Sequence, residues 1–291
     1  MRYSYAETMT DPSYYAPLAI AAEEAGYANF VVPDSICYPQ TSDSVYPYNP
    51  DGTREFLEDK PFIDPFALTA ALGAVTSTIR FTTFVIKLPI RHPVLTAKQA
   101  GSVAALTGGR LVLGVGTSPW REDYAITDTP WEKRGTRMDE CIDIVRGLTR
   151  PGWFEYHGEL YDVPPIKMTP VPERPMPILI GGHAEAALRR AAIRGDGWMH
   201  GGGDPADLPE LLDRLAALRK EAGREGDDFE VHVISFEAFT VDGVRRLEEQ
   251  GVTDVVVGFR WPYDVGPDTE PLQSKLDSLR RFADEVIAKT Q

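Results

Sequence analysis

The chain has 291 residues but only two cysteines, Cys37 and Cys141. Two cysteines form neither a disulfide framework nor a cysteine-based metal cluster, so they indicate free thiols in a reducing compartment. The five histidines contain no H-x-H or H-E-x-x-H pair, which argues against a metal-dependent hydrolase. We therefore expect no metal site and a cytoplasmic location.

Several other signatures are missing as well. The chain has no G-x-x-x-x-G-K-[ST] phosphate loop and no G-x-S-x-G nucleophile elbow. Gly114 and Gly116 lack the third glycine of the dinucleotide-binding fingerprint. The net charge of −14 argues against a nucleic-acid partner, because binding to phosphates needs basic patches. No apolar run reaches the ~18 residues of a membrane span, and the amino terminus has no apolar signal core, so we expect no membrane partner.

Short runs rich in β-branched residues alternate with amphipathic helical stretches, which is typical of parallel βα units. The predicted strands cover residues 2–6, 29–33, 80–88, 110–115, 177–180, 197–200, 231–236 and 254–259. Eight such units are the number found in a TIM-type barrel. The sequence therefore predicts an α/β fold with a single (β/α)8 barrel as the one domain, residues 1–291.

Two long segments interrupt this alternation. Residues 34–62 are polar and rich in Pro, Tyr and Asp, and residues 150–177 contain too many prolines for regular structure. We expect both to be inserted loops over the barrel mouth that shape a substrate pocket. Asp64 and Thr240 are suitable N-caps for the helices that follow them.

Two glycine-rich turns follow neighbouring predicted strands. Gly181 and Gly182 come after the fifth strand, and Gly201, Gly202 and Gly203 come after the sixth. Barrel enzymes place their sites at these carboxyl ends, glycine lets the backbone approach a ligand, and a helix N-terminus favours an anion. The pattern predicts a paired backbone cradle for phosphate, with simple tight turns as the alternative.

Four stretches resemble the luciferase-like monooxygenase superfamily, particularly its F420-dependent oxidoreductase branch. They are AEEAGYANFVVPD (22–34), TSTIRFTTFVIKLPIRHPVLTAKQAGSVAALTGGRLVLGVG (76–116), PMPILIGGHAEAALRRAA (175–192) and RGDGW (194–198). The resemblance implies a TIM-like barrel with coenzyme F420, or alternatively FMN, in its mouth, and a non-prolyl cis peptide in the third strand. Near the ring or its side chain it implies Asp34, Phe84, Val85, Lys87, Thr117, Ser118 and Glu122. Around the phosphate it implies Gly181, Gly182, Ala184, Glu185 and Gly201.

The chain departs from the family pattern at several positions. Ser35 stands where a catalytic histidine is common, and Phe84 is bulkier than the usual residue. Pro119 and Asp204 replace a glutamate and a phosphate-binding lysine of the sugar-phosphate dehydrogenases, which argues against a sugar-phosphate substrate. With the histidine replaced, the candidates for moving a proton are Glu7, Tyr38 and His200.

These observations predict an F420-dependent oxidoreductase that transfers a hydride between the deazaflavin and a small organic substrate. One alternative is an FMN-dependent monooxygenase that uses oxygen and reduced flavin. The other is a cofactor-binding protein without turnover, which the missing histidine and glutamate support. The resemblance also implies a homodimer, and a flavin or F420 reductase is a further expected partner.

Overall fold

A computed structural model describes residues 1–49 and 52–290. Positions 50 and 51 of the first predicted loop, and residue 291 of the predicted domain, lie outside the described residues. Strands and helices alternate along the chain in the predicted order. The barrel strands are β1 (Arg2–Tyr5), β2 (Asn29–Val32), β3 (Arg80–Thr83, continued by Ile86–Lys87), β4 (Leu111–Gly116), β5 (Ile178–Gly181), β6 (Gly197–His200), β7 (Glu230–Ile234) and β8 (Asp254–Val257).

The eight strands form one closed parallel barrel, which confirms the predicted fold class. Each strand pairs with the next one in the chain, and β8 closes the barrel against β1, where Arg2 pairs with Asp254. The third strand is not continuous over residues 80–88. It breaks where the peptide bond between Phe84 and Val85 is cis, as the family resemblance implies.

Helices surround the barrel on its outer side. They are α1 (Tyr15–Glu24), α2 (Pro65–Gly73), α3 (Pro93–Leu106), α4 (Arg121–Ile126), α5 (Arg134–Leu148), α6 (Glu185–Arg194), α7 (Leu208–Glu221), α8 (Val241–Glu249), α9 (Leu272–Phe282), a π-helical turn (Ala283–Ile287) and α10 (Ala288–Thr290). Short 3-10 turns occur at Pro12–Tyr14, Glu55–Leu57, Leu88–Ile90, Pro205–Asp207 and Phe236–Phe239. None of the helices in the described part of the chain has the length and apolar character needed to cross a bilayer.

Side-chain caps fix where two of these helices begin. The Asp64 carboxylate accepts hydrogen bonds from the N–H groups of Phe66 and Ala67 at 3.0 and 3.1 Å. The Thr240 hydroxyl accepts one from Gly243 at 3.1 Å. Because each cap satisfies backbone donors that the first helical turn leaves open, the predicted starts of α2 and α8 are confirmed.

A small apolar cluster fills part of the barrel interior. Val112, Leu179 and Met199 are buried together, and Phe84 and Val85 pack against them from the broken third strand. Neighbouring residues of these strands belong to the larger core between the barrel and the helices. Side chains of one strand point alternately into the barrel and toward the helices, because successive residues of a strand face opposite sides. The break in the third strand lies at the end of the interior cluster that is nearest to the barrel mouth.

The segment 150–177 contains a two-stranded antiparallel hairpin of Phe154–His157 and Asp162–Ile166, so the prediction of irregular structure is wrong there. The hairpin turn is held by Glu140 of α5, whose carboxylate accepts three backbone N–H groups of residues 159–161 at 2.8 to 3.1 Å. Glu140 is itself buried. The segment therefore packs along the outer side of α5.

Charged residues occupy the amino-terminal end of the barrel. Glu230, His232 and Asp254 place possible ligand atoms within 4.8 Å of one another, a grouping that sequence spacing did not reveal. Two arginines already pair with these carboxylates: Arg80 lies 2.7 Å and Arg2 3.0 Å from Glu230, and Arg2 lies 2.7 Å from Asp254. Because the guanidinium groups supply the compensating positive charge, we interpret this cluster as a structural ion network.

Candidate active site

The break in the third strand forms the floor of the barrel mouth. Val85 lies against the carboxyl ends of two neighbouring strands, where both contacting residues are glycines. A Cβ atom on Gly116 would lie 2.8 Å from Val85 Cγ2, and one on Gly181 would lie 2.9 Å from Val85 Cγ1. Larger residues at these two positions would displace Val85, so the glycines allow Val85 to take this place.

The two glycine-rich turns lie side by side, which confirms their predicted adjacency. The Gly201 N–H donates to His183 Nε2 at 3.1 Å, so the imidazole joins the turn after β5 to the turn after β6. The His183 ring also stacks on His200, with centroids 4.5 Å apart and planes 11° apart. Gly182 has a φ of +123°, a conformation that favours glycine. Sequence reasoning named both turns but did not assign His183 its role as their connector.

The N-terminus of α6 faces these turns without a side-chain cap. Ala184 is the N-cap residue and has no side-chain oxygen to offer, so the first N–H groups of the helix are open to an anion. The Glu185 carboxylate does not contribute to the cradle. It pairs with Arg214 of α7 at 2.6 Å and with Arg189 at 3.1 Å, both on the outer surface. Only the backbone of Glu185 is therefore available to a ligand.

Asp34 connects the ends of β2 and β3. One carboxylate oxygen accepts from the Lys87 N–H at 3.0 Å, and the other pairs with Arg91 at 2.8 Å. The side chain is only 1% exposed. Asp34 thus lies at the mouth as predicted, and its carboxylate holds the protein backbone in place.

A buried ion pair joins the ends of β3 and β4. Lys87 Nζ lies 2.8 Å from Asp123, and the Ser118 hydroxyl donates to the same carboxylate at 2.6 Å. Ser118 has a φ of +61°, and Tyr124 fixes the preceding carbonyl of Thr117 by a hydrogen bond. The sequence left open whether Asp123 reaches the site, because an acidic pair in a short helix is equally typical of a solvated surface.

Glu122 anchors the segment 34–62 to the mouth. Its carboxylate accepts a hydrogen bond from the Ser44 hydroxyl at 2.8 Å. Burial acts to raise the pKa of Glu122, but hydrogen bonds from Ser42 and Ser44 and the charge of Arg54 lower it overall. A charged Glu122 at neutral pH therefore holds this loop against α4.

Aromatic side chains of the same loop cover the mouth. Tyr46 stacks on Trp120 with centroids 5.5 Å apart and planes 6° apart. Tyr48 meets His183 edge-on at 5.2 Å, and a Cβ atom on Gly201 would lie 2.9 Å from its ring. A small cavity of about 10 Å³, enough for about one water molecule, lies between this loop and the end of β3, where Tyr38, Lys87 and Trp120 help to line it.

Two of the three proposed proton-transfer groups are engaged by cations. Glu7 accepts from Lys275 at 3.1 Å and lies 3.6 Å from Arg260, in a buried ion cluster between β1 and the loop after β8. Burial raises the pKa of Glu7, and the Lys275 charge opposes that rise. The Tyr38 ring lies under the Arg54 guanidinium, 4.8 Å from it.

The third group, His200, is 2% exposed. Neither ring nitrogen makes a regular hydrogen bond among residues 1–49 and 52–290, although the backbone of Ile234 lies near enough to raise the pKa of His200 slightly. Burial and the neighbouring His183 lower the pKa of His200 to about 4, so the ring is neutral at pH 7. A neutral imidazole has one ring nitrogen that can accept a hydrogen bond or a proton, but both nitrogens of His200 are buried.

Comparison with known proteins agrees with this geometry. A family model described as luciferase-like monooxygenase matches residues 2–264. An uncharacterized protein of Mycobacterium tuberculosis is 65% identical over 99% of this chain and 100% of its own length. An F420-dependent glucose-6-phosphate dehydrogenase of Gordonia bronchialis is 29% identical over 95% of this chain and 77% of its own length.

Solved structures show the same fold. A monooxygenase from Streptomyces bottropensis superimposes with a TM-score of 0.78 at 17% identity, covering 100% of both chains. The coenzyme F420 dependent tetrahydromethanopterin reductase from Methanopyrus kandleri gives 0.74 at 17% identity, covering 100% of this chain and 99% of its own. From its matched family model and its close relative, the chain belongs to the luciferase-like monooxygenase family, whose members are oxidoreductases or monooxygenases.

Proposed function

We propose that the protein is an F420-dependent oxidoreductase that transfers a hydride between the deazaflavin and a small organic substrate. The observation that carries the proposal is the pair of glycine turns joined by His183 at the uncapped N-terminus of α6. The F420-dependent relative from Gordonia bronchialis supports the choice of cofactor.

The residues at the mouth fit such a cofactor in three respects. The first turn of α6 would hold its phosphate, because open N–H groups and the helix dipole favour an anion, and Gly182 and Gly201 would let the ligand approach the backbone. Val85 would support the ring from below. Lys87 and Ser118, fixed by Asp123, would lie beside the ring or its side chain.

A bound deazaflavin supplies a ring carbon that donates or accepts a hydride. The protein's part is to orient the substrate, exclude water and manage one proton. Tyr46 and Tyr48 exclude water by closing the mouth. We assign the proton to His200 rather than to Glu7 or Tyr38, because its ring nitrogens make no regular hydrogen bond within the described residues, whereas those two groups contact cations.

Titration of the purified apo-protein with F420 and with FMN, followed by cofactor fluorescence, tests the proposal. We expect saturable F420 binding and hydride exchange with at least one substrate in a screen. Tight binding of FMN without F420 binding would reverse the cofactor assignment. Oxygen-dependent product formation with reduced flavin would then indicate a monooxygenase, and binding of either cofactor without turnover would indicate a binding protein.

Gly201→Ala gives a sharper version of this test. The new methyl group would lie 2.9 Å from the Tyr48 ring and crowd the proposed phosphate cradle, so we expect F420 affinity to fall about tenfold or more. The matched control is Gly226→Ala, where a Cβ atom meets open space. Equal affinities of the two variants would contradict the placement of the phosphate.

We also propose that the protein is a homodimer. The family resemblance carries this expectation, and exposed apolar side chains on the outer helices support it: Ile20 of α1 and Leu95 and Leu106 of α3 are 37%, 65% and 77% exposed. Sedimentation equilibrium of wild type and of a Leu95→Glu/Leu106→Glu variant tests it. A monomeric wild type, or a variant that still dimerises through this face, would contradict the proposal.

A further inference from the structure

A second cavity, which is a depression open to solvent, lies at the end of the barrel opposite the mouth. Its volume is about 340 Å³, and it is formed where α5 and α6 end and where the chain leaves α7. It is lined by two aspartates, by Ile193 and by four arginines, namely Arg146, Arg150, Arg194 and Arg224. Beside the lining, Asp139 pairs with Arg194 at 3.7 Å and Asp227 pairs with Arg224 at 2.8 Å.

The cavity is separate from the proposed cofactor site. Asp196, which lines it, directly precedes β6, and its carboxylate accepts a hydrogen bond from the Ile178 N–H at the start of β5. These are the amino-terminal ends of the two strands whose carboxyl ends carry the glycine turns. A ligand here would therefore contact none of the mouth residues.

Two of the arginines are committed to the fold. Arg146 pairs with Asp196 at 2.8 Å. Arg224 donates to the carbonyl oxygens of Ala192 and Gly195 at 3.1 and 3.0 Å, and so satisfies acceptors at the carboxyl end of α6. The negative end of the helix dipole is thereby compensated without the other two arginines.

The remaining two arginines keep unused hydrogen-bond donors. The nearest carboxylate oxygens to Arg194 lie 3.6 Å away on Asp143 and 3.7 Å away on Asp139, beyond hydrogen-bond length. Arg150 is exposed, and its side chain makes no ion pair or hydrogen bond with the described part of the chain. The free guanidinium group of Arg150 thus meets that of Arg194, which is held only by two long ion pairs, at one cavity.

The size and lining of the cavity indicate the class of ligand. Pockets for small molecules have volumes of roughly 300–1,000 Å³, so this one exceeds the needs of a bare inorganic ion. Guanidinium groups match phosphate oxygens by paired, charge-assisted hydrogen bonds. Ile193, which is 48% exposed, offers an apolar wall to an organic group. We propose that this cavity binds a small organic phosphate, with the phosphate group held by Arg150 and Arg194.

Isothermal titration calorimetry at low ionic strength, with AMP and glycerol 3-phosphate as probes and adenosine as the uncharged comparison, tests the proposal. We expect saturable binding of at least one phosphate probe to the wild type and none of adenosine. Arg150→Ala and Arg194→Ala should each weaken binding about tenfold or more. The matched control Arg245→Ala removes the same charge from α8, where the side chain is 63% exposed, and should leave binding unchanged.

Asp143→Asn adds a test that distinguishes ligand binding from a purely structural role of the cavity residues. Asp143 lines the cavity and repels an anion, so its neutralisation should tighten phosphate binding. Absence of saturable binding to the wild type would overturn the proposal, as would binding that persists in both Arg150→Ala and Arg194→Ala. If Arg245→Ala weakened phosphate binding equally, the change in net charge alone would explain the weakening, and the proposal would be overturned as well. None of these outcomes depends on cofactor binding at the mouth.

Discussion

The carboxylate of Glu230 at the amino-terminal end of the barrel should make the stability of the fold depend on pH. Burial acts to raise its pKa, but hydrogen bonds from His232 and Arg80 and the charges of Arg80 and Arg2 lower it from 4.5 to about 2. Since the folded-state pKa is the lower one, the stabilisation is complete above pH 4.5 and is lost as the pH falls through about 2. It amounts to about 3 kcal/mol at pH 7 and about 1 kcal/mol at pH 3.

Urea unfolding of wild type and of Glu230→Gln at pH 7 and pH 3 measures this contribution. We expect the variant to be less stable by about 3 kcal/mol at pH 7 and by only about 1 kcal/mol at pH 3. The control Glu249→Gln, at an exposed position of α8, should differ from wild type by less than about 0.5 kcal/mol at both values. A deficit of equal size at the two pH values would refute the reasoning, because lost hydrogen bonding would not titrate.

Two further substitutions test the mouth and the barrel wall. Gly114→Ala should cost about 1–3 kcal/mol and lower Tm, because a Cβ atom there would lie 1.9 Å from the Thr83 carbonyl oxygen. Gly226→Ala is its control, and equal Tm values would contradict the packing argument. Lys87→Met should cost about 3–5 kcal/mol in urea unfolding, because it leaves Asp123 buried without its cation. Adding Asp123→Asn should recover part of this loss, and no recovery would mean that the ion pair is not its cause.

The regular part of the fold could be predicted from local sequence signals. Helix α3 is an example, because a proline at its first position and glycines shortly after its last residue are local signals that mark both ends. The hairpin of Phe154–His157 and Asp162–Ile166 was missed because Pro164 and Pro165 lie inside one of its strands. Proline is tolerated there because the strand has only one neighbour.

The parts of the candidate site that lie close together because their strands are neighbours could be predicted from the sequence. Gly181 and Gly201 follow neighbouring strands, so their turns had to meet. The partners of individual side chains were not predictable in this way. Glu185 turns outward to Arg214 because side-chain direction on α6 decides its contacts, and Asp123 reaches Lys87 only because α4 folds back over the end of β4. Such contacts depend on tertiary packing rather than on local pattern.

The aromatic cover formed by Tyr46 and Tyr48 has a consequence for the speed of ligand entry. The stack of Tyr46 on Trp120 and the edge contact of Tyr48 with His183 lie over the mouth, so a fused-ring ligand that binds beneath them has to separate these contacts first. Opening of the cover is then a first-order step, whose rate does not depend on the ligand concentration. The observed association rate would rise with ligand concentration at first and then level off at the opening rate, which gives stopped-flow mixing a direct view of the loop's motion.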